Sequence, residues 1–250
     1  MRVVRNTGYL KGRRRAAKLM VGIGLILLLS SWGVYLLAPN VFLFAMIGLV
    51  FGFIFFNGGM QQVSRWLRRP TADIVLDSEL KGLNDRHTLV HFPDVPGRRP
   101  DHLVISPHGV AVLTSREIFG RLSVRGKRWR VHRGLFGTFF SFGGPQLGNP
   151  TVENEEQVKA VTALLQRENI TLPVQGAVVF VNDNVEIDVQ DSDATVLHVS
   201  EVETWMREQT QNPAMQNAER EKVVELLSKG QQVTTTGGQP VRPPKKVRAA

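Results

Sequence analysis

Cysteine is absent from this 250-residue chain, and acidic side chains are absent from its first 72 residues. Without cysteine the chain can form no disulfide, no thiolate nucleophile and no cysteine-ligated zinc site, and the composition fits a reducing cytoplasm. The six histidines have no metal-ligand spacing, and no Gly-Lys-Thr phosphate loop or Gly-x-Ser-x-Gly elbow occurs. The sequence therefore does not support thiol enzymes, zinc fingers, P-loop nucleotide hydrolases or α/β-hydrolases.

The charge of the chain is unevenly distributed. The formal net charge is +9, but residues 1–72 carry ten basic and no acidic side chains, and residues 230–250 carry four basic and none acidic. Residues 73–229 carry 17 basic and 22 acidic side chains, so the part with room for a folded core is mildly acidic. The high net charge therefore comes from the N-terminal 72 residues and from a basic tail, and not from the part with room for a folded core.

Two apolar runs near the N-terminus predict a transmembrane hairpin over residues 19–60. The runs cover residues 19–37 and 41–60, and the first is long enough to cross a bilayer core. Basic residues flank the outer ends of both runs, so the positive-inside rule predicts cytoplasmic termini in an inner-membrane, multi-pass protein. A cleaved signal peptide is disfavoured, because the first run is long and a second follows at once. Residues 1–18 then form a basic cytoplasmic N-terminus, and residues 61–72 a juxtamembrane linker.

Gly48 and Gly52 form a Gly-x-x-x-Gly pattern inside the second apolar run. Such a pattern lets two helix backbones approach closely. The sequence favours packing within the hairpin, and homo-oligomer formation through the same glycines is the alternative.

The hydrophobic pattern of residues 73–229 predicts one α/β domain, a mixed sheet flanked by helices. Predicted helices cover residues 73–83, 151–168 and 214–229, and predicted strands cover residues 87–92, 101–106, 109–114, 121–125, 128–132, 174–181, 185–189 and 195–199. Residues 230–250 are polar, rich in Thr, Gly and Pro, and predict a disordered basic tail. Four phenylalanines lie among the glycines of residues 134–144, which predicts a loop that covers the core, meets a partner or contacts the bilayer.

The stretch from Pro100 to Arg116 predicts a β-hairpin with polar groups at its open end. Asp101 precedes one apolar run, a Ser-Pro-His-Gly turn follows, and the second run ends at Thr114. Because side chains alternate along a strand, Thr114 and Arg116 share one face.

Residues 73–182 resemble the nuclease-related domain family of the PD-(D/E)xK restriction-endonuclease-like superfamily. The resemblance rests on ordered motifs: Asp73 in a first helix, Pro100-Asp101 before a strand, Gly109 to Leu113, Gly120-Arg121-Leu122, Trp129, Asn149-Pro150 at a helix start and the strand from Val174 to Val181. It implies a metal-dependent nuclease in which aspartate is followed by an acid-x-lysine pair. Here Thr114 and Arg116 stand at the acid and lysine positions, and Glu153 stands where the family has glutamine.

These departures predict that cleavage is lost. Mg²⁺, the cofactor that an active site would use, prefers carboxylate oxygens, so threonine at the acid position weakens the site. Arg116 keeps a positive charge without the tunable ammonium of lysine. The alternative is an active metal-dependent phosphodiesterase in which Asp101 is the metal ligand, Asp73 and Arg116 assist, and a relocated carboxylate replaces the lost one. The sequence offers Glu117, Asp94 and Glu79 for that role. Mg²⁺ is an expected cofactor only if the site is active.

A basic cluster follows the hairpin, with one acid opposing it. Its candidate nucleic-acid or phosphate contacts are Arg121, Arg125, Lys127, Arg128 and Arg130. The alternative is a solvated face that meets anionic lipid headgroups. The expected function is thus a membrane-anchored, catalytically degenerate domain that binds DNA or RNA or serves as a scaffold at the bilayer.

Overall fold

The computed structural model describes residues 1–132, 146–209, 215–229, 231–236 and 239–240. They divide into two units, residues 8–71 with Gln146, and a domain formed by residues 1–7, 72–132 and the described residues from 147 onward. The Phe- and Gly-rich loop at 134–144 and the basic end of the tail lie outside the described residues. The predictions about them stay predictions.

Two long helices make up most of the first unit. Helix α1 covers Thr7–Leu37, a 3₁₀ turn covers Pro39–Val41, and helix α2 covers Phe42–Trp66. Both are long and apolar enough to cross a membrane, and many of their large apolar side chains are exposed, including Leu29 at 66% and Phe44 at 73%. The helices extend beyond the predicted spans, and the predicted linker is helical up to Trp66.

Small residues bring α1 and α2 together. A Cβ on Gly52 would lie 2.9 Å from Leu28, one on Gly59 would lie 2.7 Å from the Val21 nitrogen, and one on Gly48 would overlap the Ser31 hydroxyl. Gly48 and Gly52 therefore pack within the hairpin, as the sequence favours. Homo-oligomer formation through the same two glycines stays a prediction.

The domain is built on an eight-stranded mixed sheet. Its strands lie in the order β11, β10, β1, β2, β3, β4, β7, β9. They cover Arg2–Arg5 (β1), Thr88–His91 (β2), His102–Ser106 (β3), Gly109–Arg116 (β4), Val174–Phe180 (β7), Thr195–His198 (β9), Gln232–Thr236 (β10) and Gln239–Pro240 (β11). β3 and nearly all of β4 are buried, as expected of central strands with cover on both faces.

Three strands of this sheet, β1, β10 and β11, come from outside the predicted domain of residues 73–229. Strand β1 pairs in parallel with β2, so that Val3 lies opposite Leu89, and pairs antiparallel with β10. Val3 and Val4 are 2% and 1% exposed. The N-terminal segment is therefore a strand inside the sheet, and residues 232–236 form a strand where the sequence predicts a disordered tail.

Helices cover both faces of this sheet. On one face lie α3 (Ala72–Glu79), a 3₁₀ turn (Leu80–Gly82), a second one (Val199–Glu201) and α5 (Val202–Glu208). On the other lie α4 (Pro150–Arg167) and α6 (Asn217–Leu227). The predicted fold class, a mixed sheet flanked by helices, is confirmed.

A second, three-stranded sheet packs beside the first. It contains β5 (Gly120–Gly126), β6 (Arg128–His132) and β8 (Val185–Ser192), with β5 in the middle. Leu122 and the half-buried Trp129 face Val178 and Phe180 of β7 in a third apolar cluster. Because side chains alternate, the other face of this small sheet points away from that cluster.

Candidate functional site

The β3–β4 hairpin places Asp101 and Arg116 near each other at one end of the sheet. In its turn, Ser106 Oγ donates to the Gly109 carbonyl at 3.1 Å and accepts from the His108 amide at 3.1 Å. His102 then pairs with Leu113, so Asp101, directly before β3, lies at the end of the hairpin with Thr114 and Arg116. The sequence predicts this proximity, and the distance between Arg116 Nη1 and Asp101 Oδ2 is 3.9 Å.

Arg116 is buried, and its guanidinium lies between two carboxylates. Its Nη2 donates to Glu153 Oε2 at 2.5 Å, opposite the Nη1 that faces Asp101. Its Nε donates to the Leu147 carbonyl at 3.0 Å, and Nη1 donates to the Ser115 carbonyl at 2.8 Å. The side chain is 8% exposed, so these contacts fix it inside the domain.

Thr114 takes part in a buried amide network where the family resemblance expects a carboxylate. Its hydroxyl donates to Gln157 Oε1 at 2.7 Å and accepts from Asn154 Nδ2 at 2.9 Å. Asn154 also donates to the carbonyls of Val112 and Ala177. Within the described part of the chain, Gln157 Nε2 is buried without a hydrogen-bond partner. This network is neutral, so it supplies no anionic ligand.

Helix α4 supplies the residues that face Thr114 and Arg116. Its first turn begins at Asn149, whose side chain caps the helix by accepting from the Val152 amide at 3.3 Å, and Pro150 follows. The sequence predicts this helix start. Glu153, Asn154 and Gln157 then follow on the side of the helix that faces the sheet, because residues three and four apart share a helix face.

The residues present do not fit a bound Mg²⁺. Among the residues that the structure describes, no group of three or more His, Cys, Asp or Glu side chains could hold a metal ion. The nearby carboxylates of Asp101 and Glu153 both face the Arg116 guanidinium, which occupies the position of a cation between them.

The three carboxylates considered for a relocated ligand have other surroundings. Glu117 Oε1 accepts from the Ala72 amide at 3.0 Å, at the start of α3. Asp94 pairs with Arg99 and is 68% exposed, and Glu79 is exposed on α3. Glu153 is the carboxylate that directly contacts Arg116.

Asp73 lies on the opposite side of the main sheet from Asp101. It is 2% exposed, and its Oδ2 is 3.4 Å from Arg5 Nε of strand β1. Arg5 also pairs with Asp77. The structure therefore groups Asp73 with the N-terminal strand, and it groups Asp101 with Arg116 and α4.

A chain of buried polar groups extends from Asp77 across the same side of the sheet. Asp77 Oδ1 is 2.8 Å from His91 Nε2, His91 Nδ1 is 2.7 Å from His102 Nδ1, and His102 Nε2 is 3.1 Å from Ser115 Oγ. Burial, and next the neighbouring His91, lower the pKa of His102 to about 3. His102 is therefore neutral at physiological pH, and the chain of contacts joins three strands to α3.

The predicted basic residues lie on or beside the exposed face of the three-stranded sheet. Arg125 is paired with Arg128 and Ser123 with Arg130 across β5 and β6. Arg121 forms an ion pair with Glu186 at 2.9 Å, and Lys127 forms one with Glu155 at 2.6 Å, whose hydrogen bond raises the pKa of Lys127. Within the described residues, no ion pair involves Arg125, Arg128 or Arg130. These three arginines, which we call the arginine face, are exposed.

Sequence reasoning missed the contacts of Glu153 and Arg98. Arg98 Nη2, from the loop between β2 and β3, lies 3.0 Å from Glu153 Oε1. Glu153 is recognisable in sequence as a departure from the family pattern, but its two arginine partners are not. The helical spacing of Glu153 and Gln157 after Asn149-Pro150 is the one local signal for this cluster.

Comparison with known proteins identifies the family of this domain. A family model described as nuclease-related domain matches residues 58–181, about half of the chain, which confirms the resemblance found in the sequence. Comparison with curated proteins and with solved structures gives no match. The family has a restriction-endonuclease-like fold, in agreement with a mixed sheet flanked by helices. Residues 58–181 of this chain therefore belong to the nuclease-related domain family.

Proposed function

We propose that this protein is a membrane-anchored, cytoplasmic nuclease-related domain that binds nucleic acid and does not cut it. The observation that carries the proposal is the position of Arg116, whose guanidinium lies 2.5 Å from Glu153 and 3.9 Å from Asp101. The Arg116 side chain therefore already supplies a positive charge where the carboxylates of Asp101 and Glu153 converge.

Loss of cleavage follows from the charges of this cluster. A divalent metal would have to displace a buried guanidinium that also donates to two backbone carbonyls. Removing one partner of a buried ion pair typically costs about 3–5 kcal/mol. The neutral Thr114 offers a metal no compensating negative charge.

Pairing of the N-terminal strand supports a membrane hairpin with both ends on one side. Strand β1 precedes α1, and strand β2 follows α2, yet the two strands are hydrogen-bonded neighbours. If α1 and α2 cross a bilayer, the chain must return to the side on which it started. The basic residues at the outer ends of α1 and α2 favour the cytoplasmic side.

The arginine face supports nucleic acid as the ligand. Arg125, Arg128 and Arg130 project from two adjacent strands, are exposed, and form no ion pair among the described residues. Guanidinium groups recognise phosphate through paired hydrogen bonds. A row of such groups along a sheet surface matches the repeating charge of a phosphodiester backbone.

The test is binding and cleavage by the full-length protein in mild detergent, beside the Asp101→Asn variant. Labelled DNA and RNA, single- and double-stranded, are incubated with Mg²⁺ or Mn²⁺. The expected result is salt-sensitive binding, with the substrate intact in both proteins. Metal-dependent cutting that the variant loses would contradict the proposal and establish the alternative, an active nuclease that uses Asp101.

A further inference from the structure

The first turn of α4 holds a carboxylate between two guanidinium groups. Glu153 Oε2 lies 2.5 Å from Arg116 Nη2, and Glu153 Oε1 lies 3.0 Å from Arg98 Nη2. Each carboxylate oxygen thus has its own arginine. Two guanidinium groups that converge on two oxygens of one anion also form the arrangement that proteins use to bind phosphate.

The two arginines differ in their freedom to move. Arg116 is 8% exposed and is fixed by two backbone carbonyls, whereas Arg98 is 51% exposed and comes from the loop between β2 and β3. Arg98 also reaches Glu156, one turn further along α4, at 3.7 Å. One wall of the site is therefore rigid, and the other can adjust to an incoming ligand.

Glu153 lies where solvent can reach it. Its side chain is 18% exposed, so a rotation about its side-chain bonds can release the carboxylate outward. When Glu153 leaves, the acidic neighbours of Arg98 and Arg116 among the described residues are Asp101 and the more distant Glu156, and the cluster gains positive charge. The N-terminal end of an 18-residue helix adds a favourable potential for an anion.

We propose that Arg98 and Arg116 form a phosphate-binding site that Glu153 occupies in the unliganded protein and that a nucleic-acid phosphodiester takes over. Glu153 acts as an internal competitor, because its carboxylate uses the same two guanidinium groups. This inference rests on the proposed function for the identity of the ligand. The anion site itself rests only on the contacts of Glu153.

The experiment compares Glu153→Gln with Glu156→Gln in the full-length protein in detergent. Both changes remove one negative charge from the same helix, but only the first removes the competitor. The probes are inorganic phosphate, read by thermal stabilisation, and a labelled single-stranded oligonucleotide, read by fluorescence anisotropy. We expect Glu153→Gln to bind both probes about tenfold more tightly than wild type, because one charge-assisted pair no longer competes. Glu156→Gln should remain close to wild type.

Arg98→Ala keeps the proposal testable if Glu153→Gln fails to fold, because the arginine is half exposed. This variant should bind both probes several-fold more weakly than wild type. Equal affinities for Glu153→Gln and Glu156→Gln, or unchanged affinities for Arg98→Ala, would overturn the site.

The two proposals fail in different ways. If Glu153→Gln tightens phosphate binding and no form of the protein binds the oligonucleotide, the anion site stands and the nucleic-acid function falls. If the oligonucleotide binds all variants equally, the nucleic-acid function stands and the anion site falls.

Discussion

At the scale of single residues, Arg116 joins the two carboxylates of the candidate site. Its guanidinium balances Asp101 and Glu153 inside the domain. In the nuclease pattern that the sequence resembles, a lysine at this position would work beside a bound metal. Here the longer, permanently charged side chain lies near both carboxylates.

Removing Arg116 should destabilise the domain strongly. Arg116→Ala leaves two carboxylates without their shared cation, and we expect the free energy of unfolding to fall by about 3–5 kcal/mol. Arg116→Lys should lose less, because lysine keeps the charge but not the fork of donors. The measurement is urea unfolding of the full-length protein in detergent, followed by tryptophan fluorescence. Arg121→Ala, which breaks an exposed pair with Glu186, is the control at about 0–1 kcal/mol. Equal losses for Arg116→Ala and Arg121→Ala would contradict the structural role.

The burial of His102 predicts that the stability of the domain depends on pH. Its pKa is lowered to about 3 by burial and by His91, whereas an unfolded histidine takes up a proton near pH 6.5. The unfolded state therefore binds more protons below pH 6.5. The stability of the domain should be complete above that pH and fall progressively as the pH is lowered towards 3.

The variant His102→Gln checks this directly. It should flatten the pH dependence of the urea midpoint between pH 6.5 and pH 4, relative to wild type. His132→Gln, a change on the exposed surface, serves as the reference. An unchanged slope in His102→Gln would show that other groups cause the acid sensitivity.

The proximity of Asp101 and Arg116 in the hairpin is predictable from sequence, and the contact between Glu153 and Arg116 is not. Asp101 and Arg116 meet because a local turn at Ser106 to Gly109 folds two adjacent strands together. Glu153 meets Arg116 across 37 residues, so the contact depends on how α4 packs on the sheet. Local patterns carry no information about that packing.

At the scale of elements, strand β1 adds residues 2–5 to the domain that the sequence predicts over residues 73–229. The central strands and α4 follow their apolar patterns and cap residues, and the sequence predicts them to within a few positions. Strand β1 reads Arg-Val-Val-Arg within a basic stretch, and its partners β2 and β10 are far away in sequence. Four residues without an alternating pattern give no strand signal of their own.

A fragment that starts after α2 should therefore fold poorly. Residues 70–229 lack β1 and β10, so β2 becomes an exposed edge, and the apolar contacts of Val3 and Val4 are lost. Arg5 of β1 lies 3.4 Å from Asp73 of α3. A short Gly/Ser linker in place of residues 8–70, in a chain that ends at residue 240, should therefore restore the sheet.

The measurement is cooperative thermal unfolding by circular dichroism. We expect a sharp transition for the linked chain and a broad one, or aggregation, for residues 70–229. Two fragments that unfold with the same midpoint would contradict the assignment of β1 as an integral strand.

At the scale of the whole molecule, the apolar helices are an insertion between β1 and α3. The family match begins at residue 58, inside α2, whereas the sheet also uses residues 2–5. If α1 and α2 cross a bilayer, the pairing of β1 with β2 requires the two segments that flank the helices to lie on the same side.

Single-cysteine labelling tests the topology, since the chain has no native cysteine. Asn40→Cys lies between the two helices, and Asp183→Cys lies at a side chain that is 92% exposed in the domain. In intact cells, a membrane-impermeant maleimide should label Asn40→Cys, and Asp183→Cys only after permeabilisation. Labelling of both positions from the same side would contradict the hairpin.

Oligonucleotide binding by a triple and a double variant of the full-length protein tests whether the arginine face binds nucleic acid. The first replaces Arg125, Arg128 and Arg130 with glutamine, and the second replaces Arg121 and Lys127, which already have acidic partners. We predict that the triple variant loses most of its affinity for the oligonucleotide. The number of phosphate contacts, read from the slope of log K against log salt concentration, should fall by about three. The double variant should bind nearly as wild type does. Undiminished binding by the triple variant would contradict a nucleic-acid role for the arginine face.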